Sequence, residues 1–599
     1  MVSISRSRNT WKLSSNGKRY PCLTIDVSCD PVELETLAGL TGEIQRQMPD
    51  IELDGDARFL LASFMVQVLV EIELSARNSI REYKDKYEIS YTETRIEYPS
   101  FAPEESYLSM MNVASFVSYF VRGRDNNLRS FVQSQIEEAK EHFPGETHLR
   151  LCDLCVEQGI PFERHYKTVS QMSSFGSGSR QFSLLNLHSS QTSHLGSRFA
   201  TNKSVAAEVF AKNGLPAPRQ FTVRSASAAV AAAKQIGFPV VIKPQNTDRG
   251  VAVMTGIENQ SGVEFGYREA SKYGPVIVQR HLKGFDYRIV VVNKVAHRVY
   301  ERIPAHVVGD SGKTISQLID DSAKAREQDL VARNFDGVQK DDPQVLELLK
   351  RQGYGLEDIP RKGERVWLRT NSNVSTGGIG SDATDRAHPD NLRLAEHAAA
   401  AIGLDIAGVD LISPDISKPW SEIECGICEI NPTPAMNFIQ DSRAVFGYMT
   451  PKGPISLKIP VVYVLASDRE EDRRLVTMFA DWVADNIINA TIVRDRSLHE
   501  KRTAASEGIN CGSFDRAIDV ALMRRTSDFL CIIDEKRSIM SEQQDLFYVD
   551  SFFVFDSDEK FTTADLRDLE EFYKSEVVKS ADLGEVCQKC LSVLARSEL

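Results

Sequence analysis

Asp410, Glu429 and Asn431 carry oxygen atoms on which a metal-dependent chemistry could be built. They lie in Ala407–Asn437, AGVDLISPDISKPWSEIECGICEINPTPAMN, which reads as two strands, around Val409 and around Ile430, joined by a polar connection containing Pro414 and Pro419. Side chains alternate faces along a strand, so Glu429 and Asn431 share one, and Asp410 on a neighbouring strand can face the same way. Two carboxylates and an amide oxygen are hard ligands of the kind that suits Mg²⁺ when it also holds nucleotide phosphates. Taken alone, the stretch reads more readily as the polar outer face of an antiparallel hairpin. The residues upstream change that balance.

Lys243 closes the apolar strand Phe238–Lys243 (FPVVIK) and precedes PQNTDRGVAVM, a short polar turn running into a second strand. A lysine at a strand end beside such a turn suits phosphates, because backbone N–H groups and an ammonium both meet the anion. A surface lysine on a hairpin is the plainer alternative. The strand Val276–Gln279 then leads through His281-Leu282-Lys283-Gly284 to Asp286-Tyr287-Arg288. That order lets backbone groups read an adenine edge while Asp286 takes a ribose hydroxyl. A hairpin turning at Asn293-Lys294 carries Arg302, and Gly309–Lys313 (GDSGK) lacks the G-x-x-x-x-G-K-[ST] spacing of a Walker A loop. Residues 320–365 form a charged, helical insertion. Arg369–Asp385, RTNSNVSTGGIGSDATD, is a long glycine-rich polar loop of the kind that serves as a lid or stays flexible.

Several elements must hold these residues in place. A helix is expected over Lys203–Asn213, capped by Asn202 and ended by Gly214, with a second over Ala226–Ile236. Ser173–Ser197 has the Ser/Gly content of a linker, yet its interleaved Phe175, Phe182, Leu184, Leu185 and Leu187 predict short strands. Residues 1–165 mix strands (Pro21–Val27, Glu88–Tyr98) with long apolar helices at Ala57–Leu74 and Ser106–Val121, a pattern of packing or oligomerisation. Residues 461–599 alternate strand and helix: Val461–Leu465, helix Asp472–Asn486, Ala490–Val493, Phe529–Ile533, Phe552–Phe555, and helices Ala564–Val578 and Leu583–Ala595.

Composition bounds the reading. A chain of 599 residues exceeds what one core organises, so three or four domains are expected. Hydrophobic residues at 42% and charged residues at 26% are those of an ordinary globular protein. A net charge of −13 argues against nucleic acid as a partner. No apolar run spans a bilayer and Met1–Lys12 lacks the apolar centre of a signal peptide, so the expectation is a cytoplasmic protein without a membrane partner. Three of the ten cysteines' spacings are C-x-x-C, at Cys152/Cys155, Cys425/Cys428 and Cys587/Cys590. They lie far apart in sequence without the second half of a zinc pattern, and read as reduced thiols.

Seven segments in this order, TNKSVAAEVFAKNGLPAP, IGFPVVIKP, PVIVQRHLKGFDYRIVVV, RIPAHVVGDSGKTI, RTNSNVSTGGIGSDATDRAHPDN, IGLDIAGVDLI and CEINPTP, give Phe175–Val464 a clear likeness. The stretch resembles the ATP-grasp module of cyanophycin synthetases and, more distantly, glutathione-synthetase-like and RimK-like ligases. Residues 1–165 resemble that family's N-terminal domain more weakly. The resemblance implies an α/β chain with an α+β ATP-grasp fold at 166–458, its lid about 203–285 and its insertion about 320–365. It implies an α/β N-terminal domain at 1–165 and a small Rossmann-like α/β domain at 459–599. It assigns Lys203 and Lys243 to ATP phosphates, Gln279, Arg280, His281 and Leu282 to adenine, and Asp286 to ribose. Arg288 and Arg302 face the acyl-phosphate region, Ser375, Thr376 and Gly377 close over substrate, and Asp410, Glu429 and Asn431 hold Mg²⁺.

The departures are informative too. The loop after Lys243 shrinks to Gln245–Gly250, where the family has a longer one with more glycines. Beyond the metal strand, Pro434-Ala435-Met436-Asn437-Phe438 replaces the family's acceptor-facing residues, and Ala57–Leu74 lacks that family's pair of histidines. Cyanophycin synthetases continue into a Mur-ligase-like domain opening with a G-T-N-G-K-T-T loop. Here Ala466–Arg474, ASDREEDRR, stands in its place. Without glycine or lysine, and with four acids, it cannot wrap phosphates. The expectation is an ATP- and Mg²⁺-dependent carboxylate–amine ligase with one active site, coupling an amino acid or peptide carboxylate to an amino acid, in a homo-oligomer. A non-catalytic ATP-binding scaffold and an ATP-grasp kinase are the alternatives.

Overall fold

The computed structural model describes the chain apart from residues 1, 14–18, 50–58, 78–88, 101–102, 125–126, 143–145, 165–171, 246–251, 328–336, 371, 373–375, 435, 437–438, 468, 495–496, 500–508, 512–513, 535–547, 557–560, 562–565, 568, 571–574, 581 and 599. The described chain forms two compact units, Met1–Leu184 with Met449–Leu599, and Leu185–Tyr448. No helix among the described residues is long and apolar enough to cross a membrane.

The first unit has two larger sheets. Its N-terminal sheet is antiparallel, with Arg19–Ser28 between Ser3–Leu13 and Arg95–Pro99, and Ser90–Tyr91 at the edge. The helices Leu60–Arg77, Pro103–Val121 and Leu128–His142 share its core, where Phe116 stacks on Phe120 and Phe131. Both long apolar helices of the sequence reading are present, Leu60–Arg77 displaced by about one turn and Pro103–Val121 beginning about one turn early but ending where expected.

Glu73 is buried in that core, held by the Ser106 hydroxyl at 2.5 Å and the Tyr98 hydroxyl at 2.9 Å. Burial pushes its carboxyl from an ordinary 4.5 up to about 8. Between those values the unfolded chain has lost a proton that the folded chain keeps. Stability contributed here is complete below the lower value and falls as pH rises, by at most ~1.4 kcal/mol per pH unit. Glu73→Gln is therefore expected to lack that slope, gaining on the parent protein as pH climbs from 4.5 to about 8. Denaturant unfolding of both proteins across this range checks it; parallel stability curves would contradict it.

The second sheet of this unit has seven strands. Five run parallel, in the order Ala490–Arg494, Phe529–Asp534, Val461–Ala466, Ser551–Phe555 and Glu576–Lys579. VVYVLA, FLCIID and SFFVF are buried throughout, because helices cover both faces of a parallel sheet. Glu470–Asn486 and Leu583–Glu598 pack on one face, Phe514–Met523 on the other. The expected helix Ala564–Val578 is corrected at its end: Glu576–Lys579 is a strand, its β-branched Val577 and Val578 completing the parallel edge. Where a phosphate loop would follow Val461–Ala466, the Ser467 hydroxyl bonds the buried Asp472 carboxylate and accepts Arg469 N–H at 3.3 Å. Asp468 lies outside the described residues.

The Ser/Gly-rich stretch is ordered rather than a linker. It forms short strands at Met172–Phe175, Phe182–Leu185 and His188–Ser189. Arg180 Nη1 donates to the carbonyls of Ile455 and Lys458 at 3.0 and 2.9 Å, and Ser177 Oγ lies 2.7 Å from the Tyr548 hydroxyl. These bonds group residues up to Leu184 with the C-terminal segment.

The second unit contains the candidate site. A four-stranded antiparallel sheet, ordered Met254–Ile257, Val240–Pro244, Val276–Arg280 and Gln220–Val223, is covered by Ala226–Ile236 and Gln260–Ala270. A five-stranded antiparallel sheet follows, ordered Ile379–Asp382, Val295–Ile303, Phe285–Val292, Ile406–Ser413 and Gly426–Asn431. Its apolar face packs on Lys203–Lys212 and Pro389–Ile402. The insertion is a small body of its own, in which His306–Val308 pairs with Arg365–Trp367 and packs on Ile315–Glu327 and Pro343–Arg351.

Candidate active site

The candidate residues meet on the polar face of the five-stranded sheet. Register sets Asp286 opposite Arg302, Arg288 opposite Tyr300 and Asp410, and Asp410 opposite Glu429. The alternate residues Tyr287, Ile289, Val299, Val409 and Leu411 turn into the core beneath. One pleated surface thus gathers charges that lie more than a hundred residues apart in sequence.

Arg288 grips Asp410 with two nitrogens, Nε on Oδ1 and Nη2 on Oδ2, the second at 3.1 Å. Arg302 Nη2 lies 2.9 Å from Asp410 Oδ2 and 2.6 Å from Asp286 Oδ1, and the Ser372 hydroxyl donates to the other Asp286 oxygen. Asn431 Nδ2 is 3.5 Å from Asp410 Oδ2, and Lys203 Nζ is 3.0 Å from Glu429 Oε1. Burial alone would raise the Asp410 carboxyl, but Arg288 and Arg302 outweigh it and hold it below the usual carboxylate range. Burial likewise opposes the charge on Arg302, and Asp410 and Asp286 overcome it, raising its pKa.

Lys203 and Lys243 are brought together by a local cap. Asn202 accepts from Ser204 and Val205 N–H at the start of Lys203–Lys212, and Gln245, two residues beyond Lys243, donates to the same Asn202 oxygen at 2.9 Å. Lys243 is 7% exposed. Among the described residues its ammonium makes no hydrogen bond or ion pair, and burial lowers its pKa with only partial offset from Cys428, Glu429 and Asp410. A buried cation in that condition, beside a second lysine, would be stabilised by an anion.

The expected adenine hinge is more committed to its own fold. Gln279 Nε2 donates to Gln220 Oε1 at 2.7 Å, Arg280 N–H to Arg219 O at 2.9 Å, and His281 N–H to Pro239 O at 3.2 Å. The exposed Arg280 side chain pairs with Glu424. Leu282 packs close over Gly426, whose Cβ position lies 2.8 Å from Leu282 Cδ1. Of the expected lid residues, Ser375 lies outside the described residues, as do 246–251 of the shortened loop after Lys243. Gly377 has φ +98° and sits against Ala305, the third residue beyond Arg302.

The residue types can be tested against Mg²⁺. Among the described residues no three His, Cys, Asp or Glu side chains group to hold a metal. The candidate set is instead two carboxylates and an amide, and rotating the Asn431 amide by a half-turn exchanges its nitrogen for an oxygen at the same place. That donor set fits a hard divalent cation.

The sequence reading missed five participants. Ser372 links the long loop to Asp286. Tyr300 and Asp441, both buried, bond each other beside Arg298, which tethers the helix Ile439–Met449 to the sheet. Gly408 faces Asn431 and lies beneath Arg288. Cys428 occupies a bulge: Asp410 pairs with Glu429 but Leu411 with Ile427, leaving Cys428 the extra residue. It thus joins Glu429 on the site face, near Lys243, and burial pushes its thiol up to about 12. The signal was Ile427 and Ile430, both in the core, at a spacing of three that simple alternation forbids.

No family model matches the sequence. Over 307 residues, half of this chain, it is 34% identical to a cyanophycin synthetase of Geminocystis herdmanii, covering 34% of that protein. It is 39% identical over 243 residues, 39% of the chain, to a cyanophycin synthetase of Crocosphaera subtropica, covering 27% of it. Half of the chain is thus similar to a part of a cyanophycin synthetase. The chain spans about a third of the length of the curated relatives it matches. Among solved structures, a bifunctional glutathione synthetase from Pasteurella multocida is similar at a TM-score of 0.40 and 23% identity, over 67% of this chain and 59% of that one.

Proposed function

We propose that the chain is an ATP-dependent carboxylate–amine ligase, forming an amide bond between the carboxylate of an amino acid or peptide and an amino acid. One observation carries the reading: Lys203, Lys243, Arg288 and Arg302 converge with Asp410, Glu429 and Asn431 on one sheet face. The matched relatives named cyanophycin synthetase support it.

A carboxylate is a poor acyl donor because its leaving group would be oxide. Transfer of the γ-phosphoryl group to it forms a C–O–P linkage and releases ADP; an amine then attacks the carbonyl, gives up a proton and expels phosphate. Lys203 and Lys243 are assigned to the ATP phosphates, with the buried ammonium of Lys243, which has no ion pair among the described residues, supplying charge at low solvation cost. The Gln279–Leu282 hinge is assigned to adenine. Arg302 and Arg288, fixed by Asp286 and Asp410, present guanidinium edges to the phosphoryl group in transit. Asp286 keeps lone pairs for a ribose hydroxyl. Asp410, Glu429 and Asn431 would hold Mg²⁺, which would offset negative charge on the nucleotide phosphates. The loop containing Ser375, Thr376 and Gly377 excludes water. No side-chain nucleophile is required.

Residues 459–599 are assigned a structural role, because Ser467 and Asp472 close the turn that a phosphate loop would occupy. One active site implies a single condensation or a simple homopolymer. The cytoplasm is inferred from ten free cysteines. A homo-oligomer is inferred from Leu108, Met111 and Tyr119, exposed along one face of Pro103–Val121. Sedimentation of the parent protein and Met111→Lys tests it: a smaller species in the variant supports the assembly, and a monomeric parent refutes it.

Hydroxylamine distinguishes the ligase from a kinase or a scaffold. With ATP, Mg²⁺ and a panel of amino acids, the expected result is a hydroxamate of the acid substrate formed together with ADP. ADP without hydroxamate would identify a kinase, and no ADP with any pairing a scaffold.

A further inference from the structure

Gly408 lies within Ile406–Ser413, buried, and its backbone is not in the left-handed region, so conformational freedom does not explain a glycine there. Space does. A Cβ at this position would lie 2.8 Å from Arg288 Cδ, 3.1 Å from Arg288 Nη1 and 2.7 Å from Pro434 Cβ. Carbon atoms do not pack at such distances without movement. In the register Gly408 stands between Val290 and Asn431, next to the row in which Arg288 faces Asp410. The stem of Arg288 therefore reaches its two-pronged hold on Asp410 by lying across a bare Cα.

We propose that Gly408 is a positioning residue, its missing side chain forming the groove that seats Arg288 against Asp410. Its catalytic meaning rests on the ligase reading above, in which Arg288 faces the acyl phosphate; its geometric meaning does not. A methyl group at 408 has two neighbours to displace. Pro434 belongs to the turn after the Gly426–Asn431 strand, whereas Arg288 is anchored in the sheet and bound at its tip. Moving the Arg288 stem draws the guanidinium from Asp410 and leaves that carboxylate to Arg302 and Asn431 alone. Lys203 and Lys243 sit on other elements and keep their places.

The test is a double-mutant cycle of Gly408→Ala and Arg288→Ala, read in hydroxamate formation and in thermal unfolding of the full chain. Gly408→Ala is expected to lower turnover at saturating ATP by about a hundredfold, as a misplacement of about 1 Å can. The KM for ATP should change by less than about threefold, because Lys203 and Lys243 keep their places, and thermal unfolding shows whether the folded fraction has fallen. In the Arg288→Ala background most of that loss should vanish, because the stem that collides is gone; the remainder belongs to Pro434. Losses that simply multiply would overturn the proposal, as would a Gly408→Ala enzyme as active as its parent.

If Gly408→Ala folds poorly, the drop in melting temperature it causes should be smaller in the Arg288→Ala background than in the parent. An equal drop in both backgrounds also overturns the proposal. Should the parent protein form no hydroxamate, the ligase reading fails, yet the melting cycle still decides whether Arg288 and Gly408 are coupled. The two failures are thereby told apart.

Discussion

Glu429→Gln is expected to keep the fold and lose ATP-dependent turnover by on the order of a hundredfold or more, the scale of losing a metal ligand's charge at a phosphoryl-transfer site. The substitution preserves size and shape. Glu429 is partly exposed, lies at the rim of the cluster and pairs only with Lys203 among the described residues; that lysine is buried, and the amide oxygen of glutamine can still accept from its ammonium. Stability should change by less than about 3 kcal/mol. Asp410 offers no such clean test, because neutralising it leaves Arg288 and Arg302 facing a lost charge, and breaking a buried pair costs about 3–5 kcal/mol in fold alone. The measurement is hydroxamate or ADP release against Mg²⁺ concentration, with thermal unfolding as control. A weakened ion should show as a requirement for more Mg²⁺ in the variant. Near-normal turnover at ordinary Mg²⁺ would remove Glu429 from the site.

Parity along strands made much of this site legible before any coordinates. Glu429 and Asn431 share a face because two is the period of a strand, and Asp410 joins them because the neighbouring strand pairs it opposite Glu429. The strand that carries Lys243, the helix opening at Lys203 and the turn at Asn293-Lys294 were equally plain, since a cap, an apolar run and a polar turn each have a local cause. What stayed hidden depends on contact rather than period. The bulge at Cys428 breaks alternation in a run of four residues, too short to separate from noise. Ser372 sits in a polar loop where nothing marks one hydroxyl above another, and its role follows only from where Asp286 lies. The valines of Glu576–Lys579 were read as the end of a helix, because a parallel edge is offered by strands distant in sequence. Gly408 looks like any glycine in a strand until the arginine above it is seen.

Lys243→Met should separate stability from binding in opposite directions. Methionine keeps the unbranched stem and the volume, and removes a charge that is nine-tenths buried with no ion pair among the described residues. Holding that charge out of water without an anion costs the free protein stability, so the variant is expected to unfold at a higher temperature than its parent when no nucleotide is present. The pH dependence has a definite sign. A lysine whose folded pKa is depressed binds fewer protons folded than unfolded, so the parent's deficit shrinks as pH rises through the folded pKa toward the ordinary 10.5. The gap between variant and parent should therefore be widest near neutrality and close in alkali. With ATP the order reverses. The ammonium gains the phosphates it lacks, and its loss should weaken ATP binding by on the order of a hundredfold, the scale of a charge-assisted contact made in a dry site. Melting curves of both proteins with and without ATP and Mg²⁺ read out both effects: the parent should gain far more from the nucleotide than the variant. Equal gains would mean that Lys243 does not meet the phosphates, and an unstable variant that its charge was already satisfied in the free protein.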